Sequence, residues 1–361
     1  MTKKKVGLLF GGKSGEHEVS LASAHAIAHQ FNAEKFEIVP IFLSREGHWY
    51  GPVELEDIAT ITVEQCKGQE VILAPYPGGR ILSVDDGREL CRLDVIFPIV
   101  HGTSGEDGIL QGLLELAGVP YVGAGVAGSA IGMDKVIMRK IFSYHQIPQV
   151  AFTTVLRTQV EQNIEQVVEQ VETELCYPVF VKPANGGSSV GISKARNREE
   201  LSVALQLAAR YDRKLLVEQG VDAREIEISV LGNEQPQVSL PGEIQSSNEF
   251  YDYKAKYIDN KSISVIPAEL PAKVISAIQR LAVEAYQALD CEGFARVDFF
   301  IERQSGQLYL NEINTLPGFT EISMYPKMWE ASGLSIENLL EQLVTLAELR
   351  YADRSKNSVQ C

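Results

Sequence analysis

Two short strands near the C-terminal end, residues 294–301 and 308–315, constrain this chain most, because a hairpin would fix four of their polar side chains in register. Residues two apart in a strand point to the same face. Arg296 therefore shares a face with Asp298, and Glu312 with Asn314. The connector Arg303-Gln304-Ser305-Gly306-Gln307 reads as a short Gly-containing hairpin loop. Pairing Glu302 with Leu308 sets Asp298 opposite Glu312 and Arg296 opposite Asn314. Directly opposed Cβ atoms lie about 4.5–5.5 Å apart, and like charges there repel. One reading is a solvated polar face on an ordinary hairpin. The other is a set of hard oxygen donors for Mg²⁺, which completes its shell with phosphate oxygens. These four residues alone favour neither.

The rest of the chain narrows the class. Its 361 residues suffice for two or three domains with ample core. A net charge of −15 argues against nucleic-acid binding, which needs a basic footprint. It leaves nucleotides open, since a few local lysines suffice. The basic start, Lys3 to Lys5, precedes an apolar run of only residues 6–10, too short for a signal h-region or a membrane span. Five scattered cysteines without a CxxC read as free thiols of a cytoplasmic protein, not a zinc site or a disulfide framework.

Residues 6–10, 36–43 and 93–100 are apolar strands that alternate with helices at 18–31 and 107–117, predicting an open, largely parallel α/β sheet. Residues 45–92 are turn-rich and read as decoration of that domain. A second block has helices at 135–145, 161–173 and 199–210 with strands at 178–182 and 191–195. A third opens at 215–218, contains the hairpin, and ends in a helix at 336–347. The expected domains are 1–124, 125–215 and 216–361.

Three formal motif matches are set aside. The P-loop pattern over residues 7–14 places Leu8, Leu9 and Phe10, a strand centre, where an open turn is required. The dinucleotide fingerprint at 123–128 lacks its acid about 20 residues on, so those small residues read as a tight crossover between domains. His17-Glu18 lacks the second histidine of a zinc protease, since Leu21 stands there.

Other segments point to the ligand edge of the sheet. The turn Gly11 to Glu16 joins a strand to a helix, where ligands of open α/β sheets bind. Glu16 either holds a ligand's ammonium group or acts as a helix-capping acid. His101, beside a glycine-rich loop, sits at the same edge. Lys182 ends a strand before the Gly/Ser loop of residues 183–191, whose bare N–H groups suit phosphate. The segment 215–220 offers an apolar bed for adenine, and Glu225 an acceptor for ribose hydroxyls; both are also plain sheet residues. Residues 251–257, dense in tyrosine and lysine, read as a lid. The turn at 314–320 brings the Gly318 N–H beside Arg296 as an oxyanion donor.

In this order the segments resemble the ATP-grasp superfamily, and within it the D-alanine–D-alanine ligases. Six elements carry the resemblance: Gly-Gly-x-Ser-x-Glu-x-Glu-Val-Ser at 11–20, His-Gly-x-x-Gly-Glu-Asp-Gly at 101–108, Met133-Asp134-Lys135, Lys-Pro-x-x-x-Gly-Ser-Ser-Val-Gly at 182–191, Tyr-Asp-Tyr-x-Ala-Lys-Tyr at 251–257, and Asn-Glu-Ile-Asn-Thr-x-Pro-Gly-Phe-Thr at 311–320. The resemblance implies an N-terminal open parallel α/β domain followed by a two-part ATP-grasp fold, α/β and α+β in class. It implies ligation of two D-alanine molecules through an acyl phosphate, with release of ADP and phosphate, for peptidoglycan precursor synthesis. ATP contacts are implied at Lys135, Lys182, Ser189, Glu218, Val221, Glu225 and Lys256. Two Mg²⁺ or Mn²⁺ ions are implied at Asp298, Glu312 and Asn314. Glu16, Ser188 and Tyr257 are implied to orient the first D-alanine, and Arg296 and the Gly318 N–H to stabilise the oxyanion. His101, Ser323 and the Met324 N–H are implied substrate contacts; relatives more usually carry leucine in place of Met324. Relatives that make D-alanyl-D-lactate tend to carry Phe or His at the position of Tyr257, so the tyrosine resembles the amide-forming type. A cytoplasmic homodimer without membrane or nucleic-acid partner is the implied setting.

Overall fold

The computed structural model describes residues 2–66, 68–187, 189–245 and 263–358. Strand Lys4–Gly11 is an interior strand of the first sheet, and its Val6, Leu8, Leu9 and Phe10 are apolar on both faces and fully buried. It runs parallel to Phe36–Leu43 on one side and Val95–Ile99 on the other. Alternation then sorts its side chains. Val6, Leu8 and Phe10 share a core with Leu21, Ala24 and Ile27 of helix His17–Ala28. Leu9 packs with Leu110 and Leu114 of helix Ile109–Leu116 on the opposite face.

Residues 45–92 do more than decorate. Strands Trp49–Tyr50, Glu70–Leu73, Arg80–Ser83 and Glu89–Arg92 extend the sheet antiparallel from Phe36–Leu43, making it seven-stranded and mixed. Strands this short, each set off by turns, carry too little alternation to read as a sheet. The last helix, Ile336–Arg354, also belongs here, since Leu339, Leu340, Leu343, Val344 and Ala347 enter the core of Val6 and Leu8. The small-residue crossover after Gly123 contains the short helix Val126–Met133. An added Cβ at Gly128 would lie 2.9 Å from the Asp290 carbonyl oxygen, so the close approach expected of it is present.

The second sheet is four-stranded and antiparallel, ordered Ser193–Ala195, Val179–Pro183, Lys214–Gln219, Phe152–Leu156. Helices Arg157–Glu174 and Arg198–Ala208 cover one face with Val168, Val171, Leu201 and Leu205. Strand Lys214–Gln219 straddles the 215/216 division drawn from the sequence and pairs on both sides within this sheet.

The third sheet runs Ile263–Val265, Gly242–Gln245, Ala223–Leu231, Phe294–Glu302, Leu308–Asn314. Helix Ala272–Ala288, which sequence reading passed over, covers it with Ile278, Leu281, Ala282 and Ala285. The hairpin places Asp298 opposite Glu312 and Arg296 opposite Asn314, as expected. The expected route to that register is corrected, however. Ile301, not Glu302, pairs with Leu308, and the register shifts between Asp298 and Phe299. Without that bulge, which leaves Asn311 as the extra residue, Asp298 would face Asn311. Bulges of this kind re-aim side chains next to sites. Among the described residues no helix is long and apolar enough to cross a membrane.

Candidate active site

At the first sheet's edge, Gly11 and Gly12 adopt φ values of +93° and +100°. This turn sends the chain from strand to helix, and an added Cβ at Gly12 would lie 2.6 Å from Val100. Beyond the turn, the Ser14 hydroxyl accepts from the Glu16 N–H at 3.1 Å and donates to the His101 carbonyl at 2.8 Å. Glu16 occupies the N-cap position, but its carboxylate makes no capping hydrogen bond. That carboxylate instead lies against Gly102 and Gly187, where a Cβ would collide with it. The turn thus meets the Gly/Ser loop.

His101 is buried in the wall of the same cavity. Its Nδ1 lies 3.0 Å from the Leu316 carbonyl and 3.4 Å from Glu106, and its Nε2 lies 3.4 Å from the Ser23 hydroxyl. Ser23 also accepts from the Phe319 N–H at 3.2 Å, so His101 joins the first turn to the Pro-Gly turn. Burial presses the imidazole toward neutrality, yet Glu106 and Glu16 outweigh it and its pKa rises. Burial likewise raises the Glu106 carboxyl. Glu106 was not singled out in sequence, although it lies inside the His101–Gly108 motif.

The third sheet supplies a row of three carboxylates. Glu227 pairs across the strands with Asp298, and Asp298 with Glu312. Arg296 forks onto Asp298, with Nε–Oδ1 and Nη2–Oδ2 both 2.7 Å. Its Nε also lies 3.1 Å from Glu227 Oε2. Burial opposes the guanidinium charge, but Asp298 and Glu227 hold its pKa above the ordinary arginine value. Glu312 has Lys135 Nζ at 3.7 Å, and Asn314 Oδ1 accepts from the Leu316 N–H at 3.0 Å.

Across the cleft, Asp134 caps helix Lys135–Tyr144 by accepting from the N–H groups of Val136 and Ile137, both at 3.1 Å. Lys214 pairs with its other oxygen. Lys135 donates to the Gly186 carbonyl at 3.0 Å. Lys182 pairs with Glu218, whose other oxygen takes a 2.8 Å bond from Arg139. Burial raises the Glu218 pKa, but Lys182 and then Arg139 reverse that and leave it lowered. The Glu218 carboxylate is therefore sequestered inside the protein.

Three adjoining cavities collect these groups. The first, about 140 Å³, is lined by Glu16, Arg296, Asn314, Gly318, Ser323 and Met324 together with His101. Lys135 and Glu312 line it and also a second of about 130 Å³, which adds Lys182, Ser189, Glu225 and Asp298. Lys182 and Glu225 in turn line a third of about 510 Å³ between the second and third sheets, with Glu218, Val221, Phe180 and Phe300. Ser188, Lys256 and Tyr257 lie outside the described residues. Arg139, Glu227 and Lys214 were not anticipated. Only Glu227 carried a visible signal, its alternation with Glu225 along one strand.

Among the described residues no group of three or more His, Cys, Asp or Glu side chains is arranged around a metal position. Asp298, Glu312 and Asn314 nonetheless present only hard oxygen donors on adjacent strands, and Asp298 is occupied by a cation, Arg296. That donor chemistry fits Mg²⁺ or Mn²⁺.

Comparison with known proteins places the chain among relatives over its full length. A family profile described as D-ala D-ala ligase N-terminus matches residues 5–124, and one described as D-ala D-ala ligase C-terminus matches residues 141–345. The D-alanine–D-alanine ligase of Natranaerobius thermophilus is 48% identical over 360 residues, covering 99% of this chain and 98% of the relative. That of Thermoanaerobacter pseudethanolicus is 51% identical over 360 residues, covering 96% and 97%. Among solved structures, the D-alanine-D-alanine ligase from Coxiella burnetii superposes with a TM-score of 0.86 at 37% identity, covering 99% of this chain and 97% of that one. The VanG D-Ala:D-Ser ligase from Enterococcus faecalis gives a TM-score of 0.86 at 38% identity, covering 96% and 100%.

Proposed function

Because the chain belongs to the D-alanine–D-alanine ligase family, we propose that it joins two D-alanine molecules at the expense of ATP, supplying D-alanyl-D-alanine for peptidoglycan precursors. The observation that carries this reading is the pair of shared walls that joins the three cavities in series. Lys135 and Glu312 connect the chamber of Glu16, Arg296 and Gly318 to the one holding Lys182 and Asp298.

In this reading the first D-alanine's ammonium rests on Glu16, and Ser188 and Tyr257 are its further proposed contacts. Its carboxylate attacks the γ-phosphorus of ATP, giving an acyl phosphate and ADP. The amine of the second D-alanine attacks that carbonyl, and phosphate leaves. Ser323 and the Met324 N–H grip the second carboxylate, and His101 supports the same chamber through Ser23 and the Pro-Gly turn. Arg296 and the Gly318 N–H receive the oxyanion, where one donor is worth about 3–4 kcal/mol of barrier. Lys135, Lys182 and Ser189 take the phosphates; Glu225 takes the ribose; Val221 and the backbone at Glu218 bed the adenine, and Lys256 is a further proposed ATP contact. Asp298, Glu312 and Asn314 would hold two Mg²⁺ or Mn²⁺, which supply the charge that lets two anions meet. Residues 1–124, 125–215 and 216–361, with the whole of strand Lys214–Gln219 going to the middle unit, then contribute substrate, nucleotide and catalytic walls. The free thiols and the use of ATP suit a cytoplasmic enzyme, and a homodimer is its proposed state.

The test is phosphate release from Mg-ATP with D-alanine alone, and with D-alanine plus D-lactate or D-serine. Release with D-alanine alone is expected. Silence with every combination refutes the ligase reading, and preference for a mixed pair reassigns the second substrate.

A further inference from the structure

Arg296 has one Nε–H and two carboxylates competing for it. The hydrogen points to Asp298 at 2.7 Å, while Glu227 Oε2 stands 3.1 Å from the same nitrogen. Glu227 is buried, reached through the ladder pairing Glu227 with Asp298, and it lines both the substrate chamber and the adjoining phosphate chamber. With each of its oxygens taking an N–H from Arg296, Asp298 keeps only its remaining lone pairs for a divalent cation, so guanidinium and cation compete for one carboxylate. A guanidinium that left Asp298 without another anion at hand would be a buried charge stripped of its partner, which is strongly unfavourable.

We propose that Glu227 is a positioning residue that takes over the Arg296 guanidinium when Asp298 turns to a divalent cation, holding the arginine aimed into the substrate chamber. This rests on the ligase reading and deepens it. A small rotation of the guanidinium moves the Nε–H from Asp298 to Glu227; no bond other than hydrogen bonds changes. Cation loading and readiness of the oxyanion donor are thereby coupled through one shared side chain.

The coupling is tested by a double-mutant cycle on the full chain, reading the affinity for Mn²⁺–ADP by calorimetry. Glu227→Gln is expected to weaken Mn²⁺–ADP by about tenfold, because Arg296 then stays on Asp298. In an Arg296→Met background the same change is expected to shift the affinity by less than about twofold. Equal losses in both backgrounds would mean that Glu227 acts only as a negative charge near the cation, and overturns the proposal. No loss in either background overturns it as well. Glu227→Asp, which keeps the charge on a shorter arm, is expected to give an intermediate loss that also vanishes with Arg296→Met, and replaces the glutamine variant if that one fails to fold. In turnover, Glu227→Gln is expected to lower kcat while KM for D-alanine moves little. Failure of the ligase reading is separate: it appears as wild-type protein that releases no phosphate from ATP and D-alanine.

Discussion

Two charge clusters face each other across the cleft, the first buried and the second half-buried, and their described residues are unbalanced in opposite senses. On the second-sheet side, Lys182 and Arg139 surround a single carboxylate, Glu218. On the third-sheet side, Arg296, joined by Lys135 reaching over from across the cleft, serves three carboxylates, Glu227, Asp298 and Glu312. Among the described residues the first cluster holds more cations than carboxylates, and the second more carboxylates than cations. In a low-dielectric interior such an excess is costly unless something of opposite charge completes it. The two clusters ask for different completions, an anion on one side and a cation on the other. A nucleotide triphosphate with its divalent cations offers both at once. They also sense each other, since Glu312 acts to raise the Glu218 pKa.

The comparison breaks most severely at Glu218. Glu218→Gln leaves Lys182 and Arg139 buried without their carboxylate, and is expected to lower stability by about 3–5 kcal/mol in urea unfolding. Arg296→Met attacks the other cluster, and is expected to cut kcat by about 10²–10³ in phosphate release while ATP binding survives better. A loss of nucleotide affinity as large as the loss in kcat would mean that the two sides are not separable. The pH response sharpens the same contrast. The lowered Glu218 pKa means that the group stabilises the fold fully above the ordinary carboxylate range, and that this contribution fades as pH falls through the lowered value. The stability gap between wild type and Glu218→Gln is therefore expected to narrow steadily as urea unfolding is repeated from neutral pH into acid. A gap that stays constant would mean that Glu218 does not ionise in the native state as its partners require.

Sequence reading reached the two clusters unequally. The third-sheet face was legible because a strand's period of two fixes who shares a face, and Asp298 did meet Glu312. It was reached through the wrong loop pairing, and a bulge at Asn311 made up the difference; a bulge leaves no mark in alternation. Lys182 was legible as a strand-end lysine before a Gly/Ser loop. Arg139, which shares Glu218 with it, was not, because an arginine on an amphipathic helix reads as solvent-facing until tertiary packing buries it. Helix Ala272–Ala288 carries a readable stripe at Ile278, Leu281, Ala282 and Ala285, although it bears no motif residue. The strands between Trp49 and Arg92 were hidden for a different reason. Each is two to four residues long, and their sheet exists only once Phe36–Leu43 offers an edge.

The smallest expected effect separates helix capping from charge on the cation-rich side. Asp134 does two jobs: one oxygen caps helix Lys135–Tyr144 and the other pairs with Lys214. Asp134→Ala removes both, and is expected to cost about 1–2 kcal/mol, the upper part of the range for a lost cap. Asp134→Asn keeps the acceptor and loses only the charge, so it is expected to cost less. Because the cap fixes the first turn from which Lys135 projects, the alanine variant is expected to raise KM for ATP. The Mg²⁺ concentration needed for half-activation is expected to move less, since of the proposed cation ligands only Glu312 has Lys135 nearby, at 3.7 Å. A shift in Mg²⁺ requirement as large as the shift in KM for ATP would show that the two clusters are parts of a single charge network, and the contrast drawn between them would fall.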